Sequence, residues 1–216
     1  MRPDLDGPAA VAAVADVSRE TLERLTRLVA LVRRWNPAEN LVAPADLHVL
    51  WSRHVADSAQ LVTLAPDART WLDIGSGAGF PGLVIALVAP PAATVALIES
   101  NQRKCAFLRT AIRETGASAT VHQGRAENVL ADWPTPVDVV TARAVAPLGT
   151  LLDLAAPLIL RGATGLFPKG RTADDEIRDA AQRWDADLVK HPSRIDPAAA
   201  ILEARSLRRK GSAIRG

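Results

Sequence analysis

Cysteine is almost missing from this chain: Cys105 stands alone among 216 residues, so no intramolecular disulfide framework can form. One thiol and four scattered histidines also lack the spacing of a zinc site. Tyrosine is absent, and the aromatics amount to five Trp and three Phe. Lysine is scarce too: 22 of the 26 basic residues are Arg, which beside 40 Ala points first to GC-rich coding. The longest apolar runs, Ala9–Ala15 and Leu83–Ala89, fall far short of the ~18 residues that a membrane span requires. Asp4, Asp6 and Asp16 break up the Ala/Val-rich start, which argues against a secretory signal. These absences predict a soluble protein of a reducing, cytoplasmic compartment.

What is present suffices for one folded domain: 48% hydrophobic and 23% charged residues, with a mean hydropathy of +0.07. Residues 1–17 read as a frayed lead-in. From Ser18, the residues Leu22, Leu25, Leu28, Val29, Val32 and Trp35 follow a helical period, and Asn36-Pro37 is expected to end that helix. A second helix is expected over 46–64, with Asp46 as its N-cap. From Thr70 short apolar runs alternate with helical stretches. Strands are predicted at Trp71–Ile74, Thr94–Ile98, Ala119–His122, Val137–Thr141 and Thr164–Phe167, with helices near 81–89, 103–115, 147–160 and 172–184. Asp187–Val189 and Ala199–Leu207 would add two antiparallel edge strands, for seven in all. The alternation predicts an α/β fold with a doubly wound, mostly parallel sheet.

The most informative segment runs from Asp73 to Gly82, where a strand meets a glycine turn and then a proline-started helix. Gly77, Gly79 and Gly82 satisfy the dinucleotide pattern G-x-G-x-x-G, but late, with the third glycine already past Pro81. The register Asp73-x-Gly75-x-Gly77-x-Gly79 fits better. A carboxylate two residues before the first glycine would repel a pyrophosphate and suits a cofactor with an ammonium and a sulfonium, S-adenosylmethionine. Glu99, at the end of the next strand, could accept both ribose hydroxyls in either cofactor class. Gly124-Arg125-Ala126-Glu127 follows the third strand, where such folds wrap an adenine.

No nucleophile elbow, P-loop or H-E-x-x-H motif is present, so the chemistry is read by elimination. Methyl transfer to an atom with a free lone pair needs alignment and desolvation rather than a general acid or base, and a ring nitrogen is such an acceptor. Cys105, beside Lys104 and early in a helix, reads as a packing residue whose pKa that location could lower. Arg143, at the end of the fourth strand, is placed to hold a cofactor carboxylate or a substrate phosphate; an ion pair with Asp138 or Glu127 is the alternative. Lys169 is a weaker phosphate candidate. The net charge of +2 is uneven: residues 202–216 carry +4 and residues 19–34 carry +3, which suggests a polyanionic partner for both ends. A small-molecule or protein methyltransferase, a nucleotide-binding scaffold and an NAD-dependent oxidoreductase stay open at this point.

The motifs, in order, are Trp35-Asn36-x-x-x-Asn40-Leu41, Arg53-His54-x-x-Asp57-Ser58, Asp73 to Gly82, Glu99-Ser100, Arg103-Lys104-x-x-Phe107-Leu108, Arg125-Ala126-Glu127, Arg143-Ala144 and Lys169-Gly170. With these the chain resembles the RsmG (GidB) family of ribosomal RNA small-subunit methyltransferases. The resemblance implies a Rossmann-like S-adenosylmethionine-dependent domain over 67–216, with residues 1–66 as an N-terminal helical extension packed on it. It implies methyl transfer to N7 of a guanine in 16S ribosomal RNA, the guanine-527 type of modification, presented by the RNA or by a small ribosomal subunit or its precursor. It assigns Asp73, Gly75, Gly77, Gly79, Phe80, Glu99, Ala126, Glu127 and Arg143 to the cofactor. Asn40, Arg53, His54, Asp57 and Ser58 would close the pocket, with Lys169 beside it. No metal, no membrane and a monomer are expected. With few aromatics, phosphate and shape contacts should outweigh base stacking.

Overall fold

A computed structural model describes residues 6–211. Seven strands form one sheet in the order β3-β2-β1-β4-β5-β7-β6. The strands β1 (Thr70–Ile74), β2 (Thr94–Glu99), β3 (Ala119–Gln123), β4 (Val139–Ala142) and β5 (Thr164–Lys169) are mutually parallel. β7 (Ala200–Arg209) runs antiparallel between β5 and β6 (Trp184–Pro192), so only β6 of that pair is an edge strand. Strand order reverses between β1 and β4, which opens a crevice at the carboxyl ends of the strands.

Alternation along the strands sorts the core into two layers. Trp71, Val95, Leu97, Val139 and Leu166 face one cluster, which includes Val84 and Ile85 of α4 (Gly82–Val88) and Phe107 and Leu108 of α5 (Gln102–Thr115). Leu72, Ile74, Ile98, Val140 and Phe167 face the other, under α6 (Ala126–Ala131), α7 (Leu148–Ile159) and α8 (Ala173–Ala180). Near-continuous burial on both faces is what a parallel sheet demands. α8 is shorter than the expected helix at 172–184: Trp184 already begins β6 and is buried against α7.

The N-terminal helices join the first layer without a break. α1 (Ala9–Ala12) is ordered where a frayed lead-in was expected, because Ala10, Val11 and Val14 are buried in that cluster. α2 (Arg19–Glu39) packs Leu25, Leu28 and Val32 there, and Trp35 meets Phe107 edge-on at 5.7 Å. Pro37 does not end α2. It sits in the last turn, where its missing N–H costs one hydrogen bond, and the helix instead stops at Asn40, whose left-handed φ of 46° caps it. Asn36 Oδ1 then accepts the Val42 N–H at 2.8 Å and turns the chain.

The single helix expected over 46–64 is three pieces: a 3₁₀ turn at Pro44–Asp46, a π-helical stretch at Trp51–Ala56 and α3 (Asp57–Leu64). Asp46 caps no helix through its side chain. It faces Arg53 at 3.3 Å and His54 at 3.4 Å instead. The π-helical stretch coincides with the R-H-x-x-D-S motif, in keeping with the tendency of such irregular turns to occur at functional sites.

Candidate active site

β1 delivers Asp73 to the crevice, paired in register with Leu97 on one side and Thr141 on the other. Its side chain is fully buried on the α4 face, where Oδ2 accepts the Gly82 N–H at 3.2 Å. Oδ1 has no hydrogen-bond partner. Burial is the main reason that this carboxyl is pushed up to about 7. An ammonium group would complete Oδ1 and hold it ionised, so Asp73 fits a cationic ligand and not a pyrophosphate.

The turn after Asp73 is shaped by contacts that only glycine permits. Gly75 has φ of +67°, and a Cβ there would lie 2.6 Å from Val145 Cγ2. At Gly82 a Cβ would stand 2.7 Å from Asp73 Oδ2, so the bare backbone is what lets α4 approach the carboxylate. Gly77 and Gly79 also have positive φ. Glu99 closes the turn from β2: Oε2 accepts the Gly77 N–H at 2.9 Å and Oε1 accepts the Asn101 N–H at 2.7 Å. Each oxygen keeps a lone pair for a further donor, such as a ribose hydroxyl. Ala126 and Glu127 begin α6 directly after β3, at the same end of the sheet.

Arg143 forms the centre of the opposite wall. It leaves β4 just before Ala144, whose φ of 56° is a left-handed conformation that a non-glycine residue rarely holds. Its guanidinium donates to Arg53 O at 3.1 Å and to His54 Nδ1 at 2.6 Å, and Asp57 Oδ2 lies 3.8 Å away. The Arg143 guanidinium carbon lies 5.6 Å from the centre of the buried Phe80 ring, and His54 sits 5.1 Å from the same ring. Neither Asp138 nor Glu127 pairs with Arg143; Asp138 accepts the Arg69 and Thr70 N–H groups at 2.8 Å each.

The Arg143 hydrogen bond assigns the histidine's tautomer. Nδ1 can only accept from a guanidinium, so the ring proton is on Nε2, which lies 3.4 Å from Asp46 Oδ2 but makes no hydrogen bond to it. Burial first, and then the Arg143 charge, lower the His54 pKa to about 4. His54 is therefore neutral at physiological pH with its single lone pair occupied. Asp57 is shifted the other way, upward, by burial, while Oδ1 accepts from Gln60 at 2.8 Å.

A cleft of about 510 Å³ opens beside this wall. Arg53, Asp57, Arg143, Val145, Lys169 and Asp196 are among its lining residues. Gly75, Phe80, Asp73 and Arg143 are thus brought together, with Arg53, His54 and Asp57 against them. Three of the remaining candidates have other partners. Ser58 is buried and donates to His54 O at 2.5 Å, holding the helix turn rather than facing the cleft. Asn40 is the exposed cap of α2. Lys169 is bound to Glu176 at 2.7 Å and to Ala146 O at 2.8 Å, so its charge is already neutralised. Cys105 packs as expected, but burial raises its pKa, and its thiol donates to Glu99 O at 3.3 Å.

Sequence reasoning missed Gln60 and Asp196, gave Asp46 only a capping role, and carried Ala144 only as part of a motif. Gln60 ties Asp57 to Ser193 Oγ at 3.2 Å and accepts the Arg194 N–H at 3.0 Å, which draws the segment after β6 over the cleft. These contacts span more than 130 residues, and no local pattern signals them.

Comparison with known proteins places this geometry. The family model described as rRNA small subunit methyltransferase G matches residues 21–196. A protein of that name from Rhodospirillum centenum is 51% identical over 203 residues, covering 94% of this chain and 92% of the relative. Another, from Methylobacterium sp. strain 4-46, is 50% identical over 202 residues, covering 91% and 94%. Among solved structures, the O-methyltransferase TomG from Streptomyces achromogenes, in complex with SAM, superposes with a TM-score of 0.61 over 95% of this chain and 99% of that one. At 16% identity that likeness speaks for the fold alone, the Rossmann-like fold of S-adenosylmethionine-dependent methyltransferases. Half of the residues shared over nine-tenths of the length is a closer relationship, and it decides the matter: this chain belongs to the rRNA small subunit methyltransferase G family.

Proposed function

We propose that the protein transfers the methyl group of S-adenosylmethionine to N7 of a guanine in 16S ribosomal RNA. The observation that carries the reading is the state of His54. As the histidine of the site, it would be the natural general base, yet Arg143 occupies its lone pair and its pKa is lowered to about 4. A site so arranged suits an acceptor with no proton to lose. Guanine N7 is such an atom, with an in-plane lone pair and no hydrogen.

S-adenosylmethionine, when bound, supplies an electrophilic methyl carbon on a sulfonium. Asp73 Oδ1 would hold its ammonium, Glu99 its ribose hydroxyls, and Phe80, Ala126 and Glu127 would lie along it. The N7 lone pair would take that methyl group, the bonding pair would remain with the departing sulfur, and the base would be left with the positive charge. Asp57 and Asp196 line the cleft where that charge appears, and carboxylates there favour it. The same carboxylates can accept from guanine N1–H and N2–H, while Arg53 and Arg143 can donate to O6, a set that adenine does not match.

The test is transfer of labelled methyl from S-adenosylmethionine to small subunits, or their naked RNA, from cells that lack the modification. Label at an N7-methylguanine, located by its sensitivity to reductive strand cleavage, is the expected result. Label confined to protein, or at another RNA atom, overturns the reading. RNA with inosine at the target, which lacks the N2 amine, should be a poorer substrate if the carboxylates read that edge.

A further inference from the structure

The positive charge of this chain is arranged differently in space than along the sequence. The basic stretches at its two ends are largely committed internally. On α2, Arg19 pairs with Glu23, Arg34 pairs with Glu114, and Arg24 donates to Thr115 O and Gly116 O. On β7, Arg205 is bound to Glu203 and Arg208 to Asp185. β7 is also antiparallel to β5: Ala200 lies opposite Lys169 at the crevice, and the strand then runs away from it. Arg209 therefore sits about 30 Å down the strand from the active-site end. Arg215, which contributed to the expected basic tail, lies outside the described residues.

Exposed cations without a side-chain partner among the described residues occur at both ends of the sheet, Arg69, Arg113 and Lys210 at one end and a second group at the other, beside the crevice. Arg103, Arg125 and Arg171 are exposed, and none makes a side-chain hydrogen bond or ion pair among the described residues; Lys104 is half-buried and likewise unpaired. Each follows a different parallel strand or shares its loop: Arg103 and Lys104 open α5 after β2, Arg125 precedes α6 after β3, and Arg171 precedes α8 after β5. In a parallel sheet all of these loops lie at one end, the end that carries the glycine turn and Arg143. From β3 to β5 the rim crosses four inter-strand spacings, about 19 Å, with the crevice between. Nearby acids do not cancel it: Asp174, Asp175 and Glu176 are paired with Lys190, Arg178 and Lys169, which leaves Glu127 beside Arg125.

We infer that Arg103, Lys104, Arg125 and Arg171 are the phosphate-binding rim that seats the RNA backbone on both sides of the nucleotide entering the cleft. The basic C-terminal strand is not part of that footprint. This inference rests on the RNA reading above. Unpaired arginines give up no existing ion pair when they meet phosphate, whereas Arg205 or Arg208 would first have to leave a carboxylate.

The experiment compares two charge-matched triple variants by binding to a small-subunit RNA fragment across a salt series. R103A/R125A/R171A removes the rim; R69A/R113A/K210A removes three equally unpartnered cations from the other end of the sheet. Loss of three phosphate contacts should flatten the slope of log K against log salt by about two, at ~0.7 per contact on single-stranded RNA. The control triple should leave the slope within half a unit of wild type, and R103K/R125K/R171K should keep it. An unchanged slope in the rim triple, or equal flattening in both triples, overturns the inference. If the alanine triple does not fold, the single variants R103A, R125A and R171A carry the test, each expected to flatten the slope by about 0.7. Wild-type protein that neither binds nor methylates RNA overturns the RNA reading itself, a result distinct from a misplaced rim.

Discussion

The two walls of the site are built on different principles. The wall we propose for the cofactor is one continuous stretch, Asp73 to Gly82, whose backbone makes its shape: Ser76 N–H donates to Ile98 O, Gly79 N–H to Ser76 O and Gly82 N–H to Asp73. The wall we propose for the methyl acceptor is assembled from side chains far apart in the chain, with Arg143 reaching 89 residues back to His54 and Gln60 reaching 133 residues forward to Ser193. One wall is held by geometry that glycine allows. The other is held by charge and hydrogen bonds in a poorly solvated space, where each group sets the protonation of the next.

That contrast predicts opposite pH responses, the largest expected effects. Asp73 is raised from 3.8 to about 7, so its contribution to stability is fully present below pH 3.8 and is lost as pH rises toward 7. His54 is lowered from 6.5 to about 4, so its contribution is present above pH 6.5 and is lost as pH falls toward 4. At ~1.4 kcal/mol per pKa unit the ceilings are about 4 and about 3 kcal/mol. Between pH 4 and 6.5 the two slopes oppose each other. Denaturant unfolding of the ligand-free protein should therefore show a nearly flat wild-type profile in that window. Asp73→Asn should lose stability on acidification, and His54→Gln should lose more than wild type as pH rises. Parallel profiles for all three proteins would show that the walls do not titrate separately.

Arg143→Ala tests the acceptor wall directly. We expect methyl transfer to fall at least ~100-fold, about 2.7 kcal/mol in the transition state, in a protein that stays folded but melts lower because Arg53 O, His54 and Asp57 lose a partner. Because the His54 lone pair is released at the same time, the His54 pKa should rise, measurable from its ring resonances by NMR. Near-normal turnover would make Arg143 a structural residue. Gly75→Ala tests the other wall: left-handed φ and the Val145 contact should cost about 1–2 kcal/mol, read as weaker thermal stabilisation by S-adenosylhomocysteine. Wild-type stabilisation would mean that the turn yields where the geometry says it cannot. The smallest effect is expected from Asn40→Gly, which keeps the left-handed cap and should shift stability by less than ~1 kcal/mol. A large loss of methyl transfer in that variant would bring Asn40 into the acceptor wall, where the family motif places it.

Legibility followed the same division. The sheet, its helices and the cofactor wall could be read from alternation and from ten adjacent residues, because strand period, turn chemistry and the sign of Asp73 are local properties. The errors fell where tertiary contacts overrode local signals. Pro37 stayed helical because it occupies a last turn; the 46–64 segment broke into a 3₁₀ turn, a π-helical stretch and α3; and residues 9–15 were ordered by burial against the same core. Resemblance alone pointed to Arg53, His54 and Asp57. Their connection to Arg143 became visible only in three dimensions.

By itself, then, the sequence determined an α/β chain, a glycine turn preceded by an acid whose charge suits a cationic ligand, and membership in a family of rRNA methyltransferases. Tertiary structure alone decided which ionisable groups are charged and which cations are free. Both depend on desolvation and on partners brought close by the fold. Two basic stretches that looked like an RNA footprint in one dimension are in large part tied down internally, while unpaired cations on three separate loops gather around the crevice.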